Sequence, residues 1–296
     1  MENHRNTVSV CARFAIGAVC TSLFLSGCAS VGGGASSKVA ATTRAEYYPS
    51  CYEPVSHLRS SDAAMQKSVA TGAVTGGLLG GLTGALAGGG DHTARNALIG
   101  AATGALVGGA VGYYTERQKQ ITDDQARIAS YGADIDASVG DMDRSIAYAT
   151  AAQDCYQREF TNLQAAHKSG KITEVEGKKR FAEIVSGLKE TNALLAAVDG
   201  RAGENIDTYT QAYEKDLQQI GVQRQTVTQV AKAETKKPVV ASTVPKAAVD
   251  TEKKLQQADT KRTQIKQVTS RGTSLISSAC NNPDVGDWGA EQCSSV

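Results

Sequence analysis

A hydrophobic residue returns at every seventh position from Ile121 through Ile128, Ile135, Met142, Ala149 and Tyr156 to Leu163. Val139, Ile146 and Phe160 fill three of the positions four residues on, which gives the seam of a coiled coil or helical bundle. Gln125, Gly132, Gln153 and His167 weaken the second line of that seam, so a bend near Gly132 or loose packing is expected. After the turn Lys168-Ser-Gly-Lys171, the alternating three- and four-residue steps of Phe181, Ile184, Leu188, Thr191, Leu195 and Val198 predict a helix over about 173–198. Ile206, Tyr213, Ile220 and Val227 predict another over about 204–233, with Gly200 and Gly203 punctuating the join. Pro238 and Pro245 break the pattern and mark a linker, and a last helix is expected over about 249–278. Almost nothing in this half of the chain alternates with the period of two that a strand needs, so the fold class is all-α.

A second pattern precedes the first. Residues 68–90 and 96–115 carry no charge, and as helices they would be about 35 and 30 Å long, enough to cross a bilayer. Gly72, Gly76, Gly80, Gly84 and Gly88 recur every four residues in the first stretch, and Gly100, Gly104, Gly108 and Gly112 do so in the second. Each helix would carry a bare backbone ridge along which the other can pack closely, while Val69, Leu78, Leu82, Leu98 and Leu106 supply bulk elsewhere. A flexible glycine linker has no reason to keep that register. The 14 glycines between Gly72 and Gly112 imply a helix-propensity cost on the order of 10 kcal/mol, which lone helices in water do not sustain. In a bilayer the backbone must satisfy itself internally, and helix becomes the default. Residues 88–96 read as the polar turn of a hairpin with Thr93 as N-cap, and Tyr113 and Tyr114 close the second span where an aromatic belt would sit.

Arg5 and Arg13 precede an apolar run from Phe14 to Leu25, too short to span a membrane but of the length of a signal-peptide core. The run ends in Leu25-Ser-Gly-Cys28, which resembles the lipobox of bacterial lipoproteins. That resemblance implies cleavage before Cys28, diacylation of its sulfur and acylation of the new N-terminus, and Ala29 in place of aspartate implies sorting to the outer membrane. A lipobox followed by the repeated Gly-x-x-x-Gly of residues 72–88 and 100–112 is similar to the glycine-zipper outer-membrane lipoproteins typified by the rickettsial surface antigen and SlyB. The family implies a membrane-embedded hairpin with a role in envelope integrity. The long helical arm after residue 115 departs from its short members. Two spans return the chain to its starting side, so residues 29–67 and 116–296 are both expected in the periplasm.

Composition and charge narrow the function. The chain has 31 basic and 30 acidic side chains, and removal of residues 1–27 leaves 29 of each, so nothing favours a nucleic-acid partner. Aromatic residues make up 5% of the chain, too few for a large α/β core. In the processed chain Cys51, Cys155, Cys280 and Cys293 remain for pairing in an oxidising compartment. Four cysteines allow three pairings or free thiols. The turn-rich residues 281–292 favour a local Cys280–Cys293 loop, and Cys51–Cys155 follows by elimination. On a straight helix from Glu116, Cys155 lies about 58 Å away, the full reach of the 17 residues after Cys51, so that bridge requires a bend or does not form.

No nucleophile elbow, phosphate loop or His-Glu-x-x-His occurs, His4, His57, His92 and His167 are scattered, and Asp123-Asp124 and Asp134 with Asp136 read as solvated helix faces. No enzyme activity, cofactor or metal is expected. The reading is a signal peptide (1–27), lipid anchor and linker (28–67), glycine-zipper transmembrane hairpin (68–115), helical or coiled-coil region (116–234), linker (235–248), and C-terminal helix with cysteine loop (249–296). It describes a structural envelope lipoprotein of the outer membrane, facing the periplasm. Its partners would be membrane lipid, further copies through the zipper helices, and an unidentified periplasmic or envelope protein. An oligomeric channel or secretion accessory is the alternative. Weakly apolar spans are near the threshold of inner-membrane insertion and can pass it. Replacing Gly76, Gly80 and Gly84 with Leu is therefore expected to retain the protein in the inner-membrane fraction, and unchanged fractionation would count against this view.

Overall fold

The computed structural model describes residues 39–70, 109–234, 244–289 and 292–293. Within them every regular element is a helix: α1 (Pro49–Ala70), α2 (Gly109–Gln120), α3 (Asp124–Lys168), α4 (Glu174–Gln219), α5 (Arg224–Glu234), α6 (Lys246–Cys280) and a 3-10 turn at Pro283–Gly289. The seven-residue seam is the core. Ile128, Ile135, Met142, Ala149, Tyr156 and Leu163 are all buried, facing Phe181, Ile184, Leu188, Leu195 and Val198 of α4.

The ends of the helices fix the topology. Asp123 caps α3 by accepting from the Ala126 N–H at 2.7 Å, so the chain breaks at residues 121–123 and reverses between α2 and α3. The bend expected near Gly132 is therefore absent. Gly132 instead lets α6 approach, since a Cβ there would lie 2.7 Å from Thr251 Oγ1. At the other end of α3, Gly170 takes φ +66 while its N–H donates to His167 O and that of Lys171 to Ala166 O, a Schellman stop. Thr173 then caps α4. Gly200 and Gly203 do not end this helix, because the buried line runs on through Val198, Ala202, Ile206 and Tyr209, and Gly203 makes room for Arg262. The stop comes at Gly221, with φ +71 and the same pair of bonds, so the helix expected from 204 to 233 divides into the end of α4 and α5. Of the linker expected at 235–248, residues 246–248 already belong to α6 and residues 235–243 lie outside the described set.

α3 and α4 form an antiparallel pair, and α6 lies along it parallel to α3. Lys254, Lys261 and Arg271 reach Asp136, Asp143 and Asp154 at 3.3, 2.6 and 2.5 Å, a ladder that fixes this register. Gln153 is buried between the three helices, where its Nε2 donates to Val268 O at 2.9 Å and to Asn192 Oδ1 at 3.2 Å.

The stretch expected as a linker up to residue 67 holds α1. Cys51, Val55, Leu58 and Met65 are buried at three-, four- and seven-residue steps against α3 and α4. Pro54 and a weakly amphipathic sequence conceal this helix, which tertiary packing sustains. Asp134, Tyr148 and Cys155 share one stripe of α3 at steps of fourteen and seven, and this stripe meets α2 through Tyr113 and α1 through His57 and Cys51. Asp136 and Asp143, two positions on and about 200° around the helix, meet α6. Thus α1 and α2 lie on one side of the α3–α4 pair and α6 on the other.

Close packing makes some glycines obligatory and others not. A Cβ on Gly187 would meet the Tyr156 ring at 2.2 Å, whereas one on Gly140 has Arg144 Nη1 as its nearest neighbour at 3.6 Å. Gly187→Ala should lower unfolding stability by about 1–3 kcal/mol and Gly140→Ala should raise it by about 0.4–1 kcal/mol, read from urea midpoints.

Candidate functional site

α1 and α2 flank the glycine-rich segment in the chain, and the residues that hold these two helices on the bundle form a neck. Both helices run parallel to α4. Asp62 of α1 is ion-paired with Arg201, which is 1% exposed, and Tyr113 of α2 packs at a tilt against Tyr209 with ring centroids 5.1 Å apart. Arg201 and Tyr209 are about 12 Å apart along α4, so departure and return lie close together on one flank.

Below the neck the N-terminal strand of chain is clasped to α4. Glu183 accepts the backbone N–H groups of Tyr47 and Tyr48, both at 2.9 Å. Seven residues on, Glu190 accepts those of Thr42 and Thr43 at 2.8 and 2.7 Å. Arg59 of α1 closes the arrangement, donating its Nη2 to Glu190 at 2.8 Å and to Thr43 O at 3.0 Å. Burial alone would raise the Glu190 carboxyl, but the bonds from Arg59, Thr43 and Thr42 outweigh it and hold it below the ordinary glutamate value.

Above the neck, Asp134 is 4% exposed and accepts from both Tyr113 and Arg117. Burial lifts its carboxyl above the ordinary aspartate value, against the opposing pull of Arg117 and the hydrogen bond from Tyr113. About two turns along α3 Arg127 Nε donates to Asp216 at 2.7 Å, and the Tyr131 hydroxyl does so at 2.8 Å. Asp134 is therefore no solvated face, although Asp136 is half-exposed and pairs outward with Lys254. Asp123 is a cap and Asp124 pairs with Arg127. Tyr113 is 2% exposed within the bundle, so it is not part of an aromatic belt and the second candidate span can extend only to Gly112, not to Thr115. That leaves 17 residues from Asn96, about 25 Å of helix, near the lower limit for a span.

Both expected cysteine pairs are formed. Cys51 and Cys155 lie 5.3 Å apart at Cα, and Cys280 and Cys293 5.7 Å apart. The reversal at residues 121–123 supplies the bend that the first bridge requires. It closes a loop containing the whole glycine segment and fastens α1 to α3. The second closes the far end of the bundle, where Trp288 donates to Glu174 at 2.7 Å and packs on His167. Cys28 and Gly72, Gly76, Gly80, Gly84, Gly88, Gly100, Gly104 and Gly108 lie outside the described residues, and Gly112 is in α2. Among the described residues no helix is long and apolar enough to cross a membrane, and no group of three or more His, Cys, Asp or Glu side chains is placed to hold a metal ion. Sequence reasoning missed Asp62, Arg59, Glu183 and Glu190. The spacing of Cys51, Val55, Leu58 and Met65 was the available signal for the helix that carries two of them.

Residues 50–116 match the family model of YMGG-like glycine zippers. The match takes in α1 from its second residue and α2 as far as Glu116, so the neck helices are part of the matched unit. It supports a glycine-zipper segment and membrane association of a bacterial kind. No curated protein and no solved structure matches the chain.

Two outcomes follow for the clasp. Cys51→Ser should cost about 2–5 kcal/mol of unfolding stability in the oxidised protein. The folded Glu190 carboxyl is lowered, so its contribution is complete above the ordinary glutamate value and lost as pH falls through the native one. The difference in melting temperature between wild type and Glu190→Gln should therefore be largest near neutrality and shrink as the pH falls below the ordinary glutamate range. A pH-independent difference would contradict the assignment.

Proposed function

We propose that the chain is an outer-membrane lipoprotein, anchored through acylated Cys28, whose glycine-zipper hairpin enters the bilayer and whose helical bundle serves a structural role in the envelope from the periplasm. The observation that carries this reading is the neck. A segment with glycine at every fourth position is inserted between two helices that the bundle holds in succession along one flank of α4, so departure and return lie close together as a hairpin in a membrane requires. Two disulfides agree with an exported chain, since such bridges persist in oxidising compartments. A hairpin with glycine ridges also suits self-association with further copies. The bundle, which lacks the usual catalytic constellations in its sequence, acts as a surface for an envelope protein and not as an enzyme, and it uses no cofactor and no nucleic acid.

The direct check removes the lipid. A Cys28→Ala chain should remain with membranes through carbonate and urea washing, because the hairpin alone holds it. Release into the wash would mean that only the acyl chains touch the bilayer.

A further inference from the structure

Given an inserted hairpin, the placement of the neck constrains how the bundle sits. Two lengths of chain connect it to the membrane: the tether from Cys28, which reaches the bundle at Val39, and the segment between Ala70 and Gly109. Both join the same flank. Residues 42–48 lie on Glu190 and Glu183 of α4 beside α1, and α1 and α2 share the stripe of α3 opposite to α6. From Cys28 to Val39 the chain can span at most about 37 Å, enough to reach the level of the neck, which lies roughly 24 Å along α4 from the point where Val39 is packed near Ala193.

Neither end of the bundle can point into the membrane. On one side of the neck α2 continues past Tyr113 with Glu116, Arg117 and Lys119, followed by Asp123 and Asp124, while α4 runs about 15 Å beyond Tyr209. An upright bundle with its hairpin entering the bilayer at the neck would press these charges into the hydrocarbon, where each costs about 2.5–3.5 kcal/mol at mid-depth. On the other side the bundle extends from Tyr209 back to Glu174, about 52 Å, farther than a bilayer is thick.

We infer that the bundle lies side-on to the membrane, with the α1–α2 flank against the lipid headgroups and α6 facing the aqueous phase.

The test uses full-length lipidated protein in phosphatidylethanolamine–phosphatidylglycerol vesicles with a headgroup-attached quencher. Ser60→Cys, Ala63→Cys, Ser270→Cys and Ser274→Cys each provide a single free thiol for a fluorophore, because Cys28 is acylated and the other cysteines are bridged. All four side chains they replace are exposed. Most of the fluorescence should be lost at positions 60 and 63 and retained at 270 and 274. Equal quenching on both flanks, or stronger quenching on α6, in protein whose Cys28→Ala form resists carbonate overturns the orientation alone. A Cys28→Ala form that washes off overturns the inserted hairpin and the orientation together.

Discussion

The attachment of α1 to the α3–α4 pair is the constraint on which the rest of the structure depends. The helix has little amphipathic character of its own and contains Pro54, so isolation would not favour it. It is held by the Cys51–Cys155 bridge, by Arg59 on Glu190 and by Asp62 on Arg201, with Val55, Leu58 and Met65 filling the groove beneath. Releasing it would free the clasped N-terminal strand and one side of the neck together. The lipid tether and the glycine segment are therefore joined along the chain by one packed helix.

The buried charges at the neck are better understood as positioning than as net stabilisation. Removing two ions from water costs several kcal/mol each, and an ion pair in the interior rarely exceeds that by much. The carboxyl of Asp134 is raised accordingly, since burial outweighs Arg117 and Tyr113 there. What these pairs provide is discrimination. A register shift of α2 by one turn would leave Asp134 or Arg117 buried without its partner, a penalty of about 3–5 kcal/mol. Hydrophobic packing fixes that α1 and α2 dock, and the ion pairs fix where along α4 they do so.

The long heptad line of α3 was legible because six of its seven positions are buried at one contact surface, and the turn at residues 168–171 because glycine and a capping threonine announce it. The cysteine pairing followed from counting, and the geometry that allows it depended on a cap at Asp123 that periodicity alone passed over. Gly132, Gly200 and Gly203 were misleading. Glycine in a helical pattern has two meanings, a break or a close approach, and only the neighbour decides; here Thr251 and Arg262 occupy the space. Asp134 and α1 were hidden for a related reason. A carboxylate next to another acid looks solvated until the opposing Arg117 is placed, and a helix whose apolar face is four residues wide and interrupted by proline looks like linker until a groove accepts it.

The central claim is that α1 and α2 belong to the bundle and that the glycine segment is an insertion between them. Replacing residues 71–108 with a short flexible Gly/Ser loop tests it most directly, by measuring solubility without detergent, the state of the Cys51–Cys155 bridge and the thermal unfolding transition. The expected product is a soluble helical protein with no free thiol at Cys51 or Cys155 and a single cooperative transition at the temperature of the full chain. A chain that aggregates, leaves those two thiols free or unfolds without cooperativity would show that the bundle depends on the glycine segment, and would contradict it.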